Sequence, residues 1–97
     1  MRERDVELYL HRQVVKHGGT TRKFTSPGRR HQPDRIVLWP PAAKFHIAPV
    51  HFVETKAPGE KPRPGQVREF ARYAKLGHNV FVLDTKEKVD DYVELHR

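Results

Sequence analysis

The sequence predicts an α/β fold, a small mixed β-sheet flanked by helices in the order α-β-β-β-α-β-α. Three observations carry that expectation. Apolar residues recur at helical spacing near both chain ends and again after Pro64. Short runs rich in β-branched and aromatic residues lie between them, and clusters of Pro and Gly separate the runs. The 97 residues are read as one domain, 1–97, small enough that a partner copy would help its core.

Arg2 to His17 reads as the first helix, with Val6, Leu10 and Val14 spaced by four and Gly18-Gly19 as its stop. Thr20 to Phe24 is a short strand, and the stretch from Ser26 to Pro33 is loop. Asp34 opens a second apolar run, Ile36 to Trp39, which Pro40-Pro41 ends. The third strand is placed at Val50 to Lys56, with an earlier start near Phe45 left open. A helix follows from Pro64 or Gly65 to Leu76, its expected core face made of Val67, Phe70, Ala71 and Ala74. Asn79 to Leu83 is wholly apolar, as expected of a strand buried on both faces. Val89, Tyr92, Val93 and His96 give the last helix its stripe.

Nineteen Lys plus Arg against twelve Asp plus Glu leave a formal charge of +7. That balance favours a polyanion, since each neutralised phosphate releases condensed counterions. Cysteine is absent, which excludes disulfides and thiolate metal sites. No apolar run is long enough for a membrane span or signal peptide, so the expectation is a cytoplasmic protein with no membrane partner. The seven histidines form no close ligand pair, which argues against zinc. His31 lies near Asp34, within reach of DNA, but a surface histidine is the simpler reading.

The third strand holds the most telling pattern. Strand side chains alternate, so Val50, Phe52, Glu54 and Lys56 share one face. An acid and a base thus follow two apolar residues on a face that should pack. In a chain with seven Glu and eight Lys, a Glu-x-Lys triplet is common by chance, and a structural ion pair explains it equally well. Asp34 strengthens the case. It follows a proline at the mouth of the preceding strand, and a hairpin-like return would set it beside Glu54. Two carboxylates on neighbouring strands suit a hard divalent cation; alone, Asp34 reads as a Pro-Asp turn. On a wheel of about 100° per residue, Glu3 falls at about 300°, inside the apolar arc, and Glu7 on its edge at about 340°. Glu3 is therefore preferred as a third acid, against the alternative of a carboxylate favoured by the helix dipole. Gln66 in the first turn of the later helix is within reach of the sheet edge, or is simply solvated.

Pro33-Asp34 with Glu54-Thr55-Lys56 resembles the PD-(D/E)XK nuclease superfamily. The wider pattern is similar to the VRR-NUC domain, especially its short stand-alone phage and bacterial members. It takes in Phe24 to Arg30, Phe52 to Gly59, Pro62-x-Pro64-x-Gln66 and Gly77-x-x-Val80-x-Val82, nearly the whole chain. The resemblance implies a restriction-endonuclease-like core, magnesium (or manganese) dependence without a small-molecule cofactor, and phosphodiester hydrolysis. It makes Asp34, Glu54 and the Thr55 carbonyl metal ligands with Glu3 as the helix acid, Lys56 the catalytic lysine and Gln66 the helix glutamine. It further implies a homodimer acting on branched DNA such as Holliday junctions, in a bacterial or phage-infected cell. Ser26, Arg29, Arg30, Lys61 and Arg63, in the two loops flanking the site, are expected to bind phosphates. The stretch from Pro40 to Pro49 departs from the family pattern and leaves the strand bounds there open. A non-catalytic nucleic-acid-binding module is the rival reading, and a monomeric nickase or flap nuclease is a second.

Overall fold

The computed structural model describes residues 1–25, 31–41 and 49–97, and the seven elements occur there in the expected order. They are α1 (Glu3–Lys16), β1 (Thr20–Lys23), β2 (Arg35–Leu38), β3 (Val50–Thr55), α2 (Pro64–Lys75), β4 (Val80–Leu83) and α3 (Lys86–His96). The suggested start of β3 near Phe45, and the phosphate-binding assignments of Ser26, Arg29 and Arg30, fall outside the described residues.

Val6, Leu10 and Val14 are fully buried along one stripe of α1, as their spacing requires. The helix ends at Gly18, whose φ of 92° is the left-handed stop that a side chain resists. The Thr85 hydroxyl caps α3 by accepting the Lys88 N–H at 3.1 Å, and Val89, Tyr92 and Val93 face inward. Strand order is β1-β2-β3-β4, antiparallel except for the β3–β4 pair, which is parallel and joined through α2. The core groups the stripes of α1 and α3 with Val37, Val53 and Leu83 of the sheet and Trp39 just beyond β2. Each fully buried Val or Leu there contributes on the order of 1.5–3 kcal/mol. From the alternate positions of β3, Phe52 meets Tyr73 of α2 edge-on, ring centroids 5.1 Å apart.

Two expectations need correction. The face of α2 that turns to the sheet carries Gln66, Glu69, Phe70 and Tyr73, whereas Val67 is 55% exposed and Ala71 and Ala74 also lie outward. Gln66 is tied to Glu54 and Tyr73 rests on Phe52, and these two contacts set the helix's rotation against its apolar moment. β4 is an edge strand, so Val80, Phe81 and Val82 are only partly covered and only Leu83 is buried. Among the described residues no helix is long and apolar enough to cross a membrane.

Candidate active site

Register brings the acids together. Arg35 pairs with Val53 across the antiparallel β2–β3 ladder, which sets Asp34, one residue before β2, beside the end of β3. The Asp34 carbonyl accepts the Phe24 N–H at 3.0 Å, fixing its backbone. Thr55 then orients the side chain. Its hydroxyl donates to Asp34 Oδ2 at 3.0 Å, and its N–H donates to the carboxylate at 3.3 and 3.4 Å. Glu54 Oε2 receives the Lys56 ammonium at 3.2 Å and the Gln66 Nε2–H at 3.0 Å. Gln66 is itself aimed, since its Oε1 accepts the Arg63 N–H at 3.0 Å in the first turn of α2. The other oxygen, Glu54 Oε1, is buried without a hydrogen-bond partner.

Glu3 completes the cluster. One carboxylate oxygen each from Glu3, Asp34 and Glu54 lie within 4.8 Å of one another. Glu7, its rival on α1, is instead engaged by Arg35 Nε at 2.6 Å. The five residues expected at the site therefore meet: two come from the β2–β3 end of the sheet, one follows β3, and two come from the first turns of α1 and α2.

Two of these carboxyls, Asp34 and Glu54, are held above the ordinary carboxylate range. Burial pushes the Asp34 carboxyl up to about 7, the charge of Glu54 adds to this, and the Thr55 hydrogen bond opposes it. Glu54 is also raised, chiefly by burial, although Lys56 and Gln66 pull the other way. An under-satisfied carboxylate oxygen beside two further acids is a donor set of hard oxygens that fits a divalent cation.

The cluster opens into a cleft of about 910 Å³, also lined by Phe24, His31, Lys61 and Arg63. Two contributors were not picked out from sequence. Asp84, at the end of β4, accepts the Gly59 N–H at 3.0 Å and pairs with Lys88 at 2.8 Å, tying down the loop that carries Lys61 and Arg63. Its position at the carboxyl end of a strand parallel to β3 was the available signal. His31, passed over as a surface residue, lines the cleft itself.

No family model matches the chain. It is 49% identical over 87 residues to the protein named "Putative nuclease p44" from Acyrthosiphon pisum secondary endosymbiont phage 1, which covers 90% of this chain and 87% of that one. A solved structure described as a VRR_NUC domain superposes with a TM-score of 0.82 at 34% identity, covering 98% of this chain and 97% of its own. With 34% and 49% identity over nine-tenths or more of its length, this chain belongs to the VRR-NUC family of nucleases.

Proposed function

We propose that the protein is a divalent-metal-dependent, structure-selective endonuclease that hydrolyses phosphodiester bonds in branched DNA, such as Holliday junctions, as a homodimer. The observation that carries the metal-dependent reading is Glu54: one oxygen saturated by Lys56 and Gln66, the other buried and unpartnered beside Glu3 and Asp34. Asp34, Glu54, Glu3 and the Thr55 carbonyl would hold magnesium, or manganese in its place. When bound, the cation supplies Lewis acidity toward the phosphate and acidifies water.

The chain's own groups do the rest. Thr55 and Gln66 each lock one carboxylate, so that the acids need little reorganisation on loading. Lys56 stands with its ammonium on Glu54, and its remaining N–H donors would orient the attacking water or offset charge on the phosphorus centre. In hydrolysis the water oxygen bonds to phosphorus, the ester P–O bond breaks, and the departing alkoxide takes up a proton. Lys61 and Arg63 on the cleft rim would bind flanking phosphates.

The homodimer is supported by two apolar features, one exposed and one only partly covered among the described residues. The outward stripe of α2 is Val67, Ala71 and Ala74, and the edge strand β4 is Val-Phe-Val-Leu without a charge or proline, whereas the opposite edge carries Arg22 and Lys23. A twofold particle presents two sites to the two strands that a junction resolvase must cut.

A labelled four-way junction incubated with magnesium and wild type or Glu54→Ala provides the test. Symmetric cutting by wild type alone is expected, together with a mass in solution twice 11.4 kDa. Binding without cutting by either protein points to a non-catalytic module. Cutting by an 11.4 kDa particle points to a monomeric nickase or flap nuclease.

A further inference from the structure

Among the described residues, His31 is the one non-glycine residue in the left-handed backbone region, at φ 71°. Glycine takes that conformation freely; histidine, like asparagine, visits it more often than most residues do, but any Cβ carries strain there. A second concession lies opposite. A Cβ placed on Gly65 would stand 2.5 Å from His31 Nε2, 2.6 Å from Cε1 and 2.7 Å from Cδ2. Only glycine at 65 leaves room for the ring where it sits. Two positions in different segments thus depart from what local energetics favours, and both departures serve the placement of one imidazole.

That placement is not core packing, because His31 remains exposed. The ring lies on the first turn of α2, which holds no acidic residue, in the same cleft as Asp34, Glu54, Lys56, Lys61 and Arg63. Strain retained at the rim of a catalytic cleft is the pattern of a functional constraint. Resting on the nuclease reading above, we infer that His31 is a substrate-contacting residue: its imidazole N–H donates to a backbone phosphate of the DNA strand that occupies the cleft. Gly65 is its positioning residue. Lys61 and Arg63 supply long-range attraction from flexible side chains, whereas the ring, seated in the space that Gly65 leaves beside the first turn of α2, supplies register.

The experiment compares wild type with His31→Gly, His31→Asn and Gly65→Ala. Glycine and asparagine both accept the backbone at 31, so those variants are expected to melt at or above the wild-type temperature. Their affinity for a four-way junction, measured without divalent ion, should nevertheless fall about tenfold, as loss of a charge-assisted hydrogen bond implies. Gly65→Ala should show the same loss with His31 intact. Junctions carrying single methylphosphonates then locate the contact: one position should weaken wild type and leave His31→Gly indifferent. If His31→Gly binds and cuts as wild type does, or no phosphate position distinguishes the two, the inference is overturned while the nuclease reading stands. If wild type cuts nothing but the binding series still singles out His31, the nuclease reading fails and the phosphate contact stands. Failure of wild type to bind DNA at all removes both.

Discussion

The two ends of β3 bury polar groups in opposite ways. At its start, the Trp39 Nε1–H donates to Tyr92 Oη at 3.1 Å, and Tyr92 in turn meets His51 Nδ1 at 2.6 Å. With its lone pair engaged by Trp39, the tyrosine donates its own proton, which leaves His51 a neutral acceptor. Aromatic rings of Phe81 and His96 surround the relay. At the other end, three residues on, a carboxylate oxygen of Glu54 is buried without a partner, and Asp34 is raised to about 7. One end satisfies its polar groups and contributes stability. The other withholds satisfaction, a configuration that costs stability until something cationic arrives. The difference separates scaffold from site within a single strand.

The largest expected effect breaks the second end. Asp34→Asn keeps an oxygen for Thr55 but removes a ligand charge, so cleavage should fall on the order of 10³-fold. Stability should move the other way. Because the folded carboxyl is raised from 3.8 to about 7, its contribution is intact at low pH and lost as pH rises through 7. Metal-free Asp34→Asn at pH 8 is therefore expected to gain about 2 kcal/mol, or roughly 10 °C in Tm for a domain of this size. Manganese at about 100 times its Kd should stabilise wild type by about 2.7 kcal/mol and leave the variant nearly unmoved. A calorimetric scan in which asparagine lowers Tm, or in which both proteins respond alike to manganese, would sink the account of an under-satisfied site.

The first end should behave as ordinary structure. Tyr92→Phe preserves the ring in the core but leaves the Trp39 N–H and His51 Nδ1 without their shared partner. The expected cost is about 1–3 kcal/mol in urea unfolding, with cleavage under native conditions unchanged. Lost activity in a folded Tyr92→Phe protein would show that the two ends are coupled and that the contrast is too sharply drawn.

Much of this is legible in the sequence. Alternation alone put Glu54 and Lys56 on one face, the wheel preferred Glu3 to Glu7, and a hairpin-like return placed Asp34 correctly. Those inferences work because they depend on strand and helix period. The rotation of α2 was misread for a physical reason: a periodic apolar face reports that something covers it, not that the chain's own sheet does. Gln66 and Tyr73 face inward because Glu54 and Phe52 hold them, contacts between residues distant in sequence. β4 misled in the same way, since an apolar edge and an apolar centre read alike. His31 and Gly65 were illegible because a positive φ and a close approach leave no trace in residue spacing.

The smallest expected effect sharpens the contrast through pH. Burial, with the nearby His96 adding to it, lowers His51 from 6.5 to about 4. The unfolded chain therefore binds a proton between these values that the folded chain does not, so stability falls as pH drops from 6.5 toward 4. His51 is only half-buried, and solvent screening trims the effect to about 1–2 kcal/mol. Asp34 slopes the opposite way across much of the same range, gaining stability as pH falls. In wild type the two slopes offset, which makes the separate variants informative. Asp34→Asn should unmask the His51 slope, giving a protein that loses stability steadily below pH 6.5, and His51→Gln should unmask the Asp34 slope, giving one that strengthens from pH 8 to 5. Urea titrations of both across that range test the pair directly: identical slopes would mean that neither end of β3 titrates as its surroundings dictate.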